Sequence, residues 1–308
     1  MRTTLLLAAW LALTAMSQAG DTGPYLAPDL VPDGVAILPP PPAPGSAAAR
    51  ADRAIFVATR RLQGTPRWRI ATEDVGNAPL DRYACALGMR LTPASAPALT
   101  RLLDRAGTGD LVNRVKQHYR VPRPYLGTDA PICAPLDRYA CALGMRLTPA
   151  SAPALTRLLD RAGTGDLVNR VKQHYRVPRP YLGTDAPICE PRTAHLAGNG
   201  DYPSGHTANG WLEGLILAEL VPERATAILA RARAYGESRA VCGSHSASAV
   251  QAGWMAGSAM FAILGGTPGF QRDLKAAREE LVSISSSAPA PDPGQCKMEQ
   301  GVLAARPW

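Results

Sequence analysis

Aromatic residues make up only 6% of the 308-residue chain, and charged residues only 19%. Low charge together with 46% hydrophobic residues excludes a disordered protein and is enough apolar material for a sizeable core. No Lys/Arg run occurs and no basic stripe is interleaved with aromatics, which excludes a nucleic-acid binder despite the basic balance. No cysteine pair has CxxC spacing, so a structural zinc site is not expected. Alternating β-branched runs are few, which leaves little basis for a sheet. Beyond the N-terminus no apolar run reaches the ~20 residues that span a bilayer. The longest candidate, 253–266, suits a buried helix.

What is present begins with a repetition. Residues 78–133 recur without one change as residues 134–189, and removing one 56-residue copy leaves 252 residues, the length of one domain. The two copies together carry the whole formal net charge of +8, so the basicity is a counting effect of the repeat. Two copies are fewer than a solenoid needs, and structural repeats diverge. The identity points instead to a recent duplication or to an error in the gene sequence. Only one copy can fill a single set of packing positions.

The first residues, MRTTLLLAAWLALTAMSQAG, combine Arg2, an apolar stretch from Leu5 to Met16, and small residues at Ser17 and Ala19. They read as a signal peptide over 1–19, giving an exported, soluble protein that is periplasmic or secreted. Cysteine usage agrees. A single-copy chain would hold Cys141, Cys189, Cys242 and Cys296, an even set compatible with two disulfides in an oxidising compartment. Residues 20–50, with Pro39-Pro40-Pro41-Pro42, read as an extended Pro-rich arm. Residues 51–282, containing both copies, read as one helical domain, and 283–308 as a flexible tail. Within the repeat, Thr148-Pro149 is a good helix start, followed by the apolar face Ala154, Leu155, Leu158 and Leu159. Residues 166–175 resume a helix after Gly163 and Gly165, and Pro178 and Pro180 end it. Three further Ala/Leu-rich helices are expected over 204–221, 223–237 and 244–264. The fold class is an all-α bundle.

Three clusters carry chemistry. The first is Lys172-x6-Arg179-Pro180, present upstream as Lys116 to Pro124; the second is Pro203-Ser204-Gly205-His206; the third is Ser238-Arg239-x5-His245. Lys172, Arg179 and Arg239 supply three cations, two of them planar forks suited to a tetrahedral oxyanion. Ser204-Gly205-His206 opens a helix, whose N–H groups and dipole favour phosphate, and Gly205 permits close backbone approach. Two histidines beside such a cradle are the apparatus of phosphoryl transfer without a metal: one attacks phosphorus, the other protonates the leaving oxygen.

In order and spacing these clusters resemble the three-part signature of the type 2 phosphatidic acid phosphatase superfamily, which includes the vanadium-dependent haloperoxidases. Within it, the Pro-rich arm, the signal peptide and the stretch GESRAVCGSH resemble the class A non-specific acid phosphatases over about residues 28–265. The resemblance implies the helical bundle of that superfamily. It also implies broad hydrolysis of small phosphate monoesters through a phosphohistidine, with no cofactor or metal; a homo-oligomer is compatible with it. Carried onto this chain, His245 is the nucleophile and His206 the general acid and then base. Lys172, Arg179, Arg239, Ser204 and Gly205 bind phosphate.

One departure stands out. The family places an Asp one helical turn after the nucleophilic histidine, where this chain reads His245-Ser246-Ala247-Ser248-Ala249. Ser248 or a backbone carbonyl is left as a weak substitute, and a phosphate-binding pseudo-enzyme is the alternative reading. The 22 residues between Pro180 and Pro203 fit the family spacing, whereas the 78 between Pro124 and Pro203 do not. The site is therefore assigned to the second copy, with Lys116 and Arg123 spare.

Overall fold

The computed structural model describes Tyr25, Leu26, residues 30–75, 83–89, 164–284 and 290–308, and isolated residues between 91 and 102. The signal-peptide reading, Lys116, Arg123, Cys133, Cys141 and the helix start at Thr148 lie outside the described residues. Among the described residues the structure is helical without strands.

The helices are α1 (Gly34–Ile37), α2 (Ala47–Arg60), α3 (Pro66–Glu73), α4 (Ala84–Leu87), α5 (Gly165–Tyr175), α6 (Ala194–Gly198), α7 (Gly205–Leu220), α8 (Ala225–Val241), α9 (Ala247–Gly265), α10 (Pro268–Ile284) and α11 (Pro293–Ala304). Local chemistry sets many of the starts. Ser46, Thr65, Thr193, Ser204, Ser246 and Asp292 each accept a first-turn N–H as N-cap, and Pro66 and Pro293 sit where a helix needs no donor. Helix α5 ends on Arg176 in the left-handed region (φ 50°), just before Pro178.

Helix α7 lies at the centre, between α8 and α9, and small residues let the three axes approach closely. A Cβ at Gly214 would meet the Ala232 Cβ of α8 at 2.4 Å, and one at Gly257 of α9 would meet the Ala208 carbonyl of α7 at 2.5 Å. Leu212, Ile216, Leu217, Ile228, Val250, Met260 and Leu264 fill the interior. By length and composition α9 is long and apolar enough to cross a membrane. It outruns the 14-residue segment expected from the sequence, and half of its window is buried within the fold.

Described residues of both repeat copies contribute to the core. Tyr83, Leu87, Leu91, Leu99 and Leu102, from the first copy, share one core with Leu167, Val168 and Val171, from the second. Tyr83 Oη donates to the Gly210 carbonyl of α7 at 2.8 Å, and α10 reaches back so that Glu280 accepts from the Leu99 N–H at 2.6 Å. Because the copies are identical, the described residues between 83 and 102 and those of 164–189 correspond to different positions of the repeated sequence.

Two boundary expectations are corrected. The Pro-rich arm is not merely extended: α1 forms within it, Leu38 is buried, and Tyr202 Oη donates to the Pro39 carbonyl. The flexible-tail reading of 283–308 fails at α11, which is tied to the first copy by a Cys85–Cys296 disulfide and buries Leu303. Cys189 and Cys242 are free thiols, with the Cys189 N–H donating to Cys242 Sγ at 3.2 Å.

Candidate active site

The end of α8 and the loop after it are held rigidly. Asp74 pairs with Arg231 at 2.9 Å and accepts from Ser238 Oγ at 2.5 Å, while Arg67 donates to the same hydroxyl at 2.9 Å. Ser238 of the third cluster thus faces this buried network. Arg60 of α2 donates to the carbonyls of Ala240 and Cys242 at 3.2 Å each, placing a cation at the helix C-terminus where the dipole favours one. The 239 and 245 side chains are presented from this fixed frame.

Around it the structure gathers the three sequence clusters. Lys172, in the last turn of α5, donates to the Gly200 carbonyl. Arg179 donates from Nε to the Asn199 carbonyl at 2.7 Å and from Nη1 to the Ser244 carbonyl at 2.8 Å. The same Nη1 lies 3.1 Å from His245 Nε2. His206, half-buried in the first turn of α7, adds its charge to those that disfavour a proton on His245. Arg239 is fully buried, and Glu190 accepts from its Nη2 at 2.6 Å and also from Ser244 Oγ. Its Nε and Nη1 are buried without a protein partner. Leaving such donors unpaired costs about 1–3 kcal/mol per group, a cost removed when an anion docks.

The imidazole of His245 is defined from both sides. Nδ1 lies 2.8 Å from the Asp201 carbonyl and 3.0 Å from Asp201 Oδ1, both acceptors. A guanidinium N–H can only donate, so Arg179 facing Nε2 requires a lone pair there. The ring is therefore the Nδ1–H tautomer with Nε2 as a base. Burial, then Arg179, Lys172, Arg239 and His206, holds its pKa well below the usual histidine range, keeping it neutral. Burial, then Arg179, likewise lowers Lys172 to about 7, Asp201 acting in opposition. Burial raises Asp201 to about 6 against its hydrogen bonds from Ser246.

The PSGH segment enters α7 after a cis Tyr202–Pro203 bond, with Ser204 as N-cap. Ser204 was expected to offer its backbone to phosphate. Its N–H instead donates to the Ala249 carbonyl at 2.9 Å, and its hydroxyl accepts from Thr207 Oγ1 at 2.9 Å. The first helical N–H of α7 belongs to Gly205. A Cβ at Gly205 would meet only Val168, at an ordinary 3.5 Å, so no internal packing demands a glycine there.

Asp201 and Glu190 were missed in the sequence. Asp201 carried a usable signal, a carboxylate two residues before Pro203; Glu190, the first residue after the repeat, carried none. Ser248 does not reach the histidine, since its N–H and hydroxyl bond Asp52 at 2.9 and 2.5 Å.

Known proteins resemble this chain over most of its length. The PAP2 superfamily profile matches residues 154–268, which include all seven of the sequence-predicted site residues. An acid phosphatase of Zymomonas mobilis is 35% identical over 271 residues, covering 87% of this chain and 83% of the relative. Non-specific acid phosphatases of Salmonella typhimurium and Providencia stuartii are 28% and 29% identical, covering 88% and 82% of this chain and 89% and 82% of their own lengths. With this coverage and a helical fold that converges the three clusters, the chain belongs to the PAP2 superfamily and, within it, to the class A non-specific acid phosphatases.

Proposed function

We propose that the protein hydrolyses small phosphate monoesters through a phosphohistidine at His245, without a metal, in the periplasm or after secretion. One observation carries the reading: a buried Arg239 with two N–H groups unpartnered among the described residues, beside Arg179, Lys172 and a histidine whose Nε2 lone pair faces Arg179. Three buried cations with too few carboxylates to neutralise them suit a dianion.

The chemistry follows from that geometry. A phosphoryl group takes the hydrogen bonds that Arg179 otherwise gives to Nε2, and Arg239 donates from Nε and Nη1. The Gly205 N–H at the head of α7 adds a dipole-aligned donor. The Nε2 lone pair forms a bond to phosphorus as the P–O ester bond breaks, and the leaving oxygen takes a proton from His206. Water then attacks phosphorus, giving a proton to His206, while the P–N electron pair returns to Nε2. Charge develops on the equatorial oxygens, where the three cations act. The contacts reach only the phosphate, which supports broad specificity toward the ester.

The pH dependence has a sign. Lys172 is cationic below its pKa, so its contribution to anion binding is present in acid and lost as pH rises through about 7. The groups facing it are Arg179, Arg239 and Asp201. Competitive inhibition of p-nitrophenyl phosphate hydrolysis by sulfate, a dianion throughout the range, should weaken about tenfold between pH 6 and 8 in the presence of EDTA. Lys172→Met should weaken sulfate at pH 6 and remove the pH dependence. Sulfate inhibition that is flat with pH in the unsubstituted protein contradicts the role given to Lys172.

A further inference from the structure

Position 249, one helical turn after His245, is a buried alanine. It cannot supply a carboxylate: its Cβ lies in the core and its carbonyl is bonded by Ser204 N–H. Yet the Nδ1 of His245 is not left without a carboxylate. Asp201 Oδ1 is 3.0 Å away, delivered from the loop ahead of α7. This carboxylate is held from several directions. Ser246 N–H donates to Oδ1 at 3.0 Å, Ser246 Oγ donates to Oδ2 at 2.5 Å, and the Asp201 N–H is anchored on the Val177 carbonyl at 2.8 Å. Burial raises its pKa to about 6, against the Ser246 hydrogen bonds and then Lys172 and Arg179, which favour the ionised form.

We propose that Asp201, delivered from the loop ahead of α7, is the positioning carboxylate of His245. It rests on the reading of His245 as nucleophile. When Nε2 bonds to phosphorus the ring becomes cationic while retaining its Nδ1 proton. Asp201 stabilises that cation and orients the ring, and no proton need leave it. The arrangement has a consequence that a carboxylate on α9 would not have. The group that orients the nucleophile and the helix that carries His206 belong to one continuous segment, residues 201–206. Nucleophile and general acid are thereby set relative to one another by the Asp201–Ser246 hydrogen bonds.

The test uses the full chain with Asp201→Asn, Ala249→Asp and the double variant. Asparagine keeps an acceptor at Oδ1, and the Asp201 carbonyl remains at 2.8 Å from Nδ1, so the tautomer survives and the loss is that of charge. Asp201→Asn should lower kcat on p-nitrophenyl phosphate roughly 10²-fold or more, with KM and vanadate affinity changed only a few-fold. Ala249→Asp should restore part of kcat in the Asp201→Asn background. Unchanged kcat in Asp201→Asn overturns the proposal. So does a loss of kcat accompanied by equal loss of vanadate binding and unrescued at 249, which marks a purely structural role.

A second readout does not need turnover. With ¹⁵N-labelled histidine, the His245 Nδ1–H proton, identified by its loss in His245→Ala, should resonate far downfield and move upfield in Asp201→Asn. An unmoved resonance overturns the contact. Failure of the phosphatase reading has a different pattern, in which the unsubstituted protein binds vanadate and shows the downfield proton but does not turn over.

Discussion

Arg179→Ala should lower kcat/KM for p-nitrophenyl phosphate by about 10³-fold, whereas Arg123→Ala, in the identical motif 56 residues earlier, should leave it within a factor of two. The expectation rests on the place of Arg179 in the site. Arg179 donates to the Ser244 carbonyl and lies against His245 Nε2, so it sits where a phosphoryl oxygen must arrive. Removing it takes away a charge-assisted donor and leaves Nε2 without the group that holds the ring's outer edge. Asn199 and Ser244 also lose their buried donor. Steady-state kinetics on both variants, with melting temperatures alongside, check this. Loss of activity in Arg123→Ala with retention in Arg179→Ala would reverse the copy assignment. Comparable partial losses in both would mean that the two copies exchange.

His206→Ala should show a loss that depends on the leaving group. If His206 delivers the proton to the departing oxygen, p-nitrophenolate, a good leaving group, needs little help, and an alkyl phosphate needs it fully. Expected losses in the phosphorylation step are about 10-fold or less for p-nitrophenyl phosphate and 10²–10⁴-fold for glycerol phosphate. His206 opens α7 beside the Gly205 N–H, and its charge counts among those that keep His245 neutral, so the two rings share one electrostatic site. Rapid-quench measurement of the first turnover separates this step from hydrolysis of the phosphoenzyme, in which His206 takes a proton from water. An equal loss on both esters contradicts the acid role.

Much of this arrangement was legible before any coordinates. The Ala/Leu-rich stretches expected over 204–221, 223–237 and 244–264 correspond to α7, α8 and α9, because capping residues and helix formers there agree with the final packing. The cationic and histidine clusters could be read as one site since each lies at or beside a helix end that points into the same space.

What escaped has identifiable causes. Asp201 acts on His245 across 44 positions of chain, a relation that no local period encodes. The commitment of Ser204 N–H to Ala249 is a tertiary bond between α7 and α9. Nor could it be read that described residues of both copies share one core. Two identical segments carry identical local information, and only the lengths of the flanking connections distinguish them. At the ends, proline content and a Ser/Pro stretch suggested irregular chain, while α1 and α11 depend on burial of Leu38 and on the Cys85–Cys296 link.

The most direct test of the central claim is hydrolysis of p-nitrophenyl phosphate by the purified protein from pH 4 to 8, with His245→Ala measured beside it and vanadate binding recorded for the unsubstituted chain. The account predicts turnover in the unsubstituted protein and none above background in His245→Ala of undiminished melting temperature. Turnover that survives in His245→Ala, or a folded unsubstituted protein that binds vanadate yet never releases p-nitrophenol, would contradict it.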